Sequence, residues 1–155
     1  MTFPTYREGR GNGLDMFEKI LVGIDGSEGS KKALATAIAL ARKFRADLHS
    51  ISVKQRPSHY AATVGEVMEE QEENDKFFAR VTEEALDWAQ SEGVDLQCTV
   101  RSGNEVEAIV NFARQEHFDL LVVGFMGHSR IFGRIWGGTS QNLTKTAPCS
   151  VLVVK

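Results

Sequence analysis

The chain's 155 residues and 17.2 kDa suit one domain with a single core, and 42% hydrophobic content with mixed charges marks it as globular rather than disordered. A net charge of −3 and a pI near 5.8 argue against nucleic acid as a partner, whose binding needs a basic face, while leaving room for one basic pocket. No apolar run approaches the roughly 18–20 residues of a membrane span, and the N-terminus has no apolar signal core, so no membrane association and a cytoplasmic location are expected.

Residues 1–16 are polar, carry three glycines and end on a second methionine, Met16. They are expected to be a disordered extension, because they offer too little apolar surface to offset ordering. From residue 17 to 155 a single domain is expected. Its first element is "KILVGID" (19–25), a continuous apolar run closed by Gly, Asp and turn residues, as in a strand buried on both faces. A helix follows, with Ala33, Leu34, Ala37, Ile38, Ala41 and Phe44 on one face and Ser27 or Ser30 as its cap.

"ADLHSISVK" (46–54) is the second strand. Residues 61–92 read as a long helix with an inner stripe of Phe78, Val81, Ala85, Trp88 and Ala89, its acidic first half being a solvated face. "VDLQCTVRSG" (94–103) alternates apolar and polar residues, which predicts a strand near a sheet edge. Asn104 and Glu107 have capping-box spacing at the start of the next helix. "FDLLVVG" (118–124) is a further buried strand. A glycine-rich loop, a helix near 140–146, Pro148 and the strand "SVLVVK" complete the chain.

Strands alternating with helices predict an α/β fold: a doubly wound five-stranded parallel sheet with helices on both faces. In such sheets ligands bind beyond the C-terminal strand ends, where the winding reverses. The first and fourth strands end in the two most unusual loops of the chain, "GIDGS" and "VVGFMG". In the second of these, Gly124, Gly127, Gly137 and Gly138 allow backbone N–H groups to approach a phosphate without Cβ obstruction. A helix starting near Thr139 or Ser140 adds unpaired N–H donors, the two hydroxyls add donors of their own, and Arg130 or Arg134 adds charge. The alternative is a connection whose glycines serve only its turns, a reading weakened by Ile131, Phe132, Ile135 and Trp136, which would pack the loop down.

Gly124, Gly127 and Gly137 follow the spacing G-x2-G-x9-G, which resembles the nucleotide motif of the universal stress protein family. The resemblance runs from Phe17 through "ILVGIDGSEGSKKAL" to "APCSVLVVK". It implies a Rossmann-like sheet of order 3-2-1-4-5, a homodimer and an adenine-nucleotide site holding ATP, or ADP or AMP, with Mg on the phosphates. By position, the resemblance implies Asp25 on the ribose hydroxyls, Gly23 in the pocket wall and the Val53 backbone at the adenine edge. It places Gly124 and Met126 beside the sugar, and Gly127, His128, Ser129 and Arg130 near the phosphates. Gly137, Gly138, Thr139 and Ser140 would close the site from the other side. The family expects Ser or Thr where this chain has Gly138, so one phosphate hydroxyl is missing while Thr139 and Ser140 follow at once. Taken alone, Asp25 in "DGS" is also an ordinary turn or capping residue, and His128 is either a phosphate donor or a solvent-side loop residue.

No full catalytic set is expected. The chain has no G-x-S-x-G elbow, no H-E-x-x-H and no Walker-type GK[ST]. A phosphoacceptor role for Asp25 would require an acidic cluster and a second Asp beyond the third strand, where "VRSGN" has none. Slow ATP hydrolysis or autophosphorylation is the most that the sequence allows. Cys98 and Cys149 lie far apart with no metal-ligand spacing, and are expected to be packed, reduced thiols. The reading is therefore a nucleotide-binding stress-response or signalling module, pairing with a second copy through the apolar edge strand 150–154. The alternative is an interaction module of the same fold that does not bind nucleotide.

Overall fold

The structure, a computed structural model, describes residues 16–55, 63–125 and 138–155. Five strands, β1 (Lys19–Gly23), β2 (Asp47–Lys54), β3 (Leu96–Ser102), β4 (Leu120–Gly124) and β5 (Ser150–Val154), alternate with four helices. The helices are α1 (Glu28–Phe44), α2 (Val64–Ser91), α3 (Glu105–Gln115) and α4 (Gly138–Thr146). The strands form one sheet in the order β3-β2-β1-β4-β5, and every pairing is parallel. The expected doubly wound sheet is thus present, with β3 at an edge as its alternation implied.

Successive side chains along a strand point to opposite faces, and this pleat divides the core in two. Ile20 and Val22 of β1 and Leu120 and Val122 of β4 meet the inner stripes of α1 and α2. Leu21, Leu121 and Val123 face α3 and α4 on the other side, with Ile109, Phe112 and Leu143. Burial on both faces explains why β1 and β4 read as unbroken apolar runs.

Local chemistry sets the helix ends. Ser27 caps α1, accepting from the Ser30 N–H at 3.1 Å. Asn104 caps α3, accepting from the Glu107 N–H at 3.0 Å. α2 begins at Val64, where Thr63 and Glu66 form a reciprocal capping box, and the expected start at 61 lies outside the described residues. Its inner stripe also differs in part. Val81, Ala85 and Ala89 are buried, but Trp88 is 36% exposed, since the two alanines make the close approach and the indole stays at the flank. Among the described residues α4 starts at Gly138, one or two residues before the expected Thr139 or Ser140.

The free thiols of Cys98 and Cys149 pack against the two core halves, and burial pushes both above the ordinary thiol range. Neither is activated. Among the described residues, no helix is long and apolar enough to cross a membrane. The expected disorder of residues 1–16 falls, except for Met16, outside the described residues.

Candidate functional site

β1, β2 and β3 run outward from the centre in one direction, and β4 and β5 in the other. The winding therefore reverses between β1 and β4, whose C-terminal ends carry Gly23 and Gly124. This is where an open parallel sheet leaves a crevice.

From β1 the chain passes through Asp25 into α1. The Asp25 carboxylate accepts from the Ser27 N–H at 3.0 Å and from the Ser27 hydroxyl at 2.6 Å, while that hydroxyl caps the helix. The turn role of Asp25 is thus present, with Ser27 rather than Asp25 as the helix cap, and it fixes the carboxylate at the rim of the sheet. Between them, Gly26 has φ +79° and packs beneath Phe77 and Val81 of α2, a conformation and a space that suit only glycine.

Gly124, at the end of β4, lies directly over the first turn of α1. A Cβ built there would stand 2.5 Å from both the carbonyl carbon and the oxygen of Gly29. Packing against α1 therefore demands glycine at this position irrespective of any ligand. Gly23 is roomier, its nearest neighbour being Val123 at 3.6 Å. Val53 pairs with Arg101 near the end of β2 and packs against the α3 side of the core.

The start of α4 closes the rim. Gly138 is exposed, and nothing lies within 4 Å of a Cβ built on it. The Thr139 hydroxyl donates to Glu105 Oε2 at 3.1 Å, and the buried Ser140 hydroxyl donates to the Phe125 carbonyl at 3.4 Å. That second contact ties the first turn of α4 to the residue after β4. Glu105, the first residue of α3, has no motif in the sequence that marks it as a site residue. Desolvation pushes its carboxyl above the ordinary glutamate range; the Thr139 hydrogen bond opposes this, and the nearby Asp25 charge adds to it.

Asp25, Gly124, Glu105, Thr139 and Ser140 thus come to one rim from four separate segments. Met126, Gly127, His128, Ser129, Arg130 and Gly137 lie outside the described residues. Among the described residues, no group of three or more His, Cys, Asp or Glu side chains is arranged to hold a metal ion.

Fold and rim together define a doubly wound α/β protein with polar side chains gathered at its topological switch point. Residues 16–155 match the Universal stress protein family, and the chain belongs to it. Universal stress protein YxiE of Bacillus subtilis is 29% identical over 154 residues, covering 90% of this chain and all of the relative. The universal stress protein UspA of Lactobacillus plantarum shares the fold with a TM-score of 0.76 at 22% identity, covering 89% of this chain and 97% of that one. A universal stress protein solved in complex with cAMP superposes with a TM-score of 0.70 at 29% identity, covering 90% and 97% of the two chains.

Proposed function

We propose that this protein binds an adenine nucleotide, ATP or its ADP and AMP relatives, and acts as a stress-response module whose dimer or partner surface depends on the bound ligand. The observation that carries the reading is the rim itself. A carboxylate beyond β1 and the first turn of α4 come to one rim beside the end of β4, and Gly124, Gly127 and Gly137 keep phosphate-loop spacing. A relative solved with cAMP, at 29% identity, supports the same ligand class.

In this reading Asp25 takes the ribose hydroxyls, Gly23 and Val53 line the base and sugar side, and Gly124 and Met126 flank the sugar. Gly127, His128, Ser129, Arg130 and Gly137–Ser140 surround the phosphates. Magnesium would come with the phosphates rather than on a preformed cluster of carboxylates. The homodimer forms through β5, and the protein works in the cytoplasm.

A second reading has its own support. Gly138 lacks the family's hydroxyl, and the Thr139 hydroxyl next to it is already engaged by Glu105. A chain so altered would serve as an interaction module without nucleotide. Calorimetric titration of the purified protein with ATP, ADP, AMP and cAMP separates the two. Binding that weakens at least tenfold in Asp25→Ala, with circular dichroism showing an intact fold, is the expected result. No heat with any of the four up to millimolar concentration overturns the nucleotide reading in favour of the second.

A further inference from the structure

The phosphate side of the crevice holds a carboxylate as well as donors. Glu105 projects from the first residue of α3 and receives the Thr139 hydroxyl at the N-terminal turn of α4. Half-buried, it senses the Asp25 charge across the rim. Among the described residues no Lys or Arg forms an ion pair with it. A phosphate drawn to the N–H groups of α4 would therefore approach a negative charge and compete with that charge for the Thr139 hydroxyl.

We infer that Glu105 is a specificity-determining residue that selects by phosphate charge, disfavouring the triphosphate and favouring a singly charged cyclic phosphodiester or a monophosphate. This inference rests on the nucleotide-binding reading above. Its physical basis is that like-charge repulsion grows with each negative charge brought to the rim, whereas the base and ribose contacts are common to all adenine nucleotides. The α4 N-terminus attracts every anion, so the carboxylate beside it supplies the discrimination.

Glu105→Gln is the informative variant. The amide has nearly the same shape and its oxygen still accepts from Thr139, so a purely structural role survives while the charge is removed. Dissociation constants for ATP, ADP, AMP and cAMP are measured on the wild type, Glu105→Gln and Glu105→Ala, with circular dichroism as the check on folding. The wild type is expected to prefer cAMP or AMP to ATP. Removing the charge should tighten ATP by about tenfold and cAMP by no more than about twofold, with ADP and AMP between them. Glu105→Ala, which also releases Thr139, should keep that ranking.

A uniform change across the four ligands in both variants, or none, overturns the charge filter while leaving nucleotide binding intact. Absence of binding by all three proteins removes the nucleotide reading itself, and this inference with it.

Discussion

At the scale of single residues, two glycines in the same family motif have opposite demands. Gly124 cannot accept a Cβ without displacing the backbone of Gly29, 2.5 Å away, in the first turn of α1. Gly124→Ala should therefore lower stability by about 1–3 kcal/mol through overpacking, read as a drop in the urea midpoint with an unchanged slope. Gly138 has open space around its Cβ direction. Gly138→Ser should fold normally and restore the family's phosphate hydroxyl. A hydrogen bond to a charged group contributes about 1.5–3 kcal/mol, so nucleotide affinity should rise by roughly ten- to a hundredfold in calorimetry.

Glu105 adds a pH signature. Its folded-state pKa is raised, so the stability it contributes is intact below the ordinary glutamate value of 4.5 and is lost as pH rises through the raised value. Glu105→Gln does not titrate. Thermal melts of the pair should coincide near about pH 4 and diverge towards about pH 7.5, with the Gln variant the more stable. A difference that shrinks as pH rises would contradict this.

At the scale of elements, the strand ends are held by contacts that periodicity does not encode. Asp119, just before β4, accepts from the Glu18 N–H at 2.8 Å and the Lys19 N–H at 3.2 Å, and its own N–H donates to the Lys19 carbonyl at 3.0 Å. This clamp joins the two central strands on the side opposite the candidate site. Asp119→Ala should cost about 1–3 kcal/mol in denaturant unfolding while leaving ligand affinity unchanged, and Asp119→Asn should lose less because one acceptor remains.

The alternation of strands and helices and the stripe of α1 were legible because burial on both faces leaves apolar runs and helix packing leaves a 3.6-residue repeat, whereas the strand order was implied only by the family resemblance. Gly124 and Asp25 were legible as rim residues, and the turn at Asp25 and the Ser27 cap were legible from local spacing, but the contact of Gly124 with Gly29 was not, because it depends on how α1 lies against β4. Glu105 left no sequence signal. Its partner, Thr139, lies 34 positions away, and the two meet only because α3 and α4 pack on the same face of the sheet with both N-termini at the crevice.

At the scale of the whole molecule, the sheet has two open edges of unlike character. β3 exposes Gln97, Arg101 and Ser102 beside Val100, which is 40% exposed, and the charge of Arg101 on that edge discourages pairing. β5 reads "SVLVV", with Leu152 36% exposed and Val151, Val153 and Val154 only partly covered. An apolar edge of this kind is an aggregation hazard unless a defined partner covers it, and a second copy of the chain presents a matching strand. The proposed homodimer should accordingly be broken by Leu152→Arg, which places a charge in the middle of the strand while leaving the β4–β5 register intact. Sedimentation at micromolar concentration is expected to show a dimer for the wild type and a monomer for the variant, with unchanged circular dichroism. A wild-type monomer would overturn the homodimer itself, and a variant dimer would move its interface away from β5. Because β5 is bonded to β4, and Phe125 beyond β4 donates to Val154 at 2.8 Å, backbone hydrogen bonds link the edge strand to the C-terminal end of β4 at the candidate site. Nucleotide should then shift the dimer equilibrium measurably in the wild type, and by linkage the Leu152→Arg monomer should bind nucleotide with altered affinity.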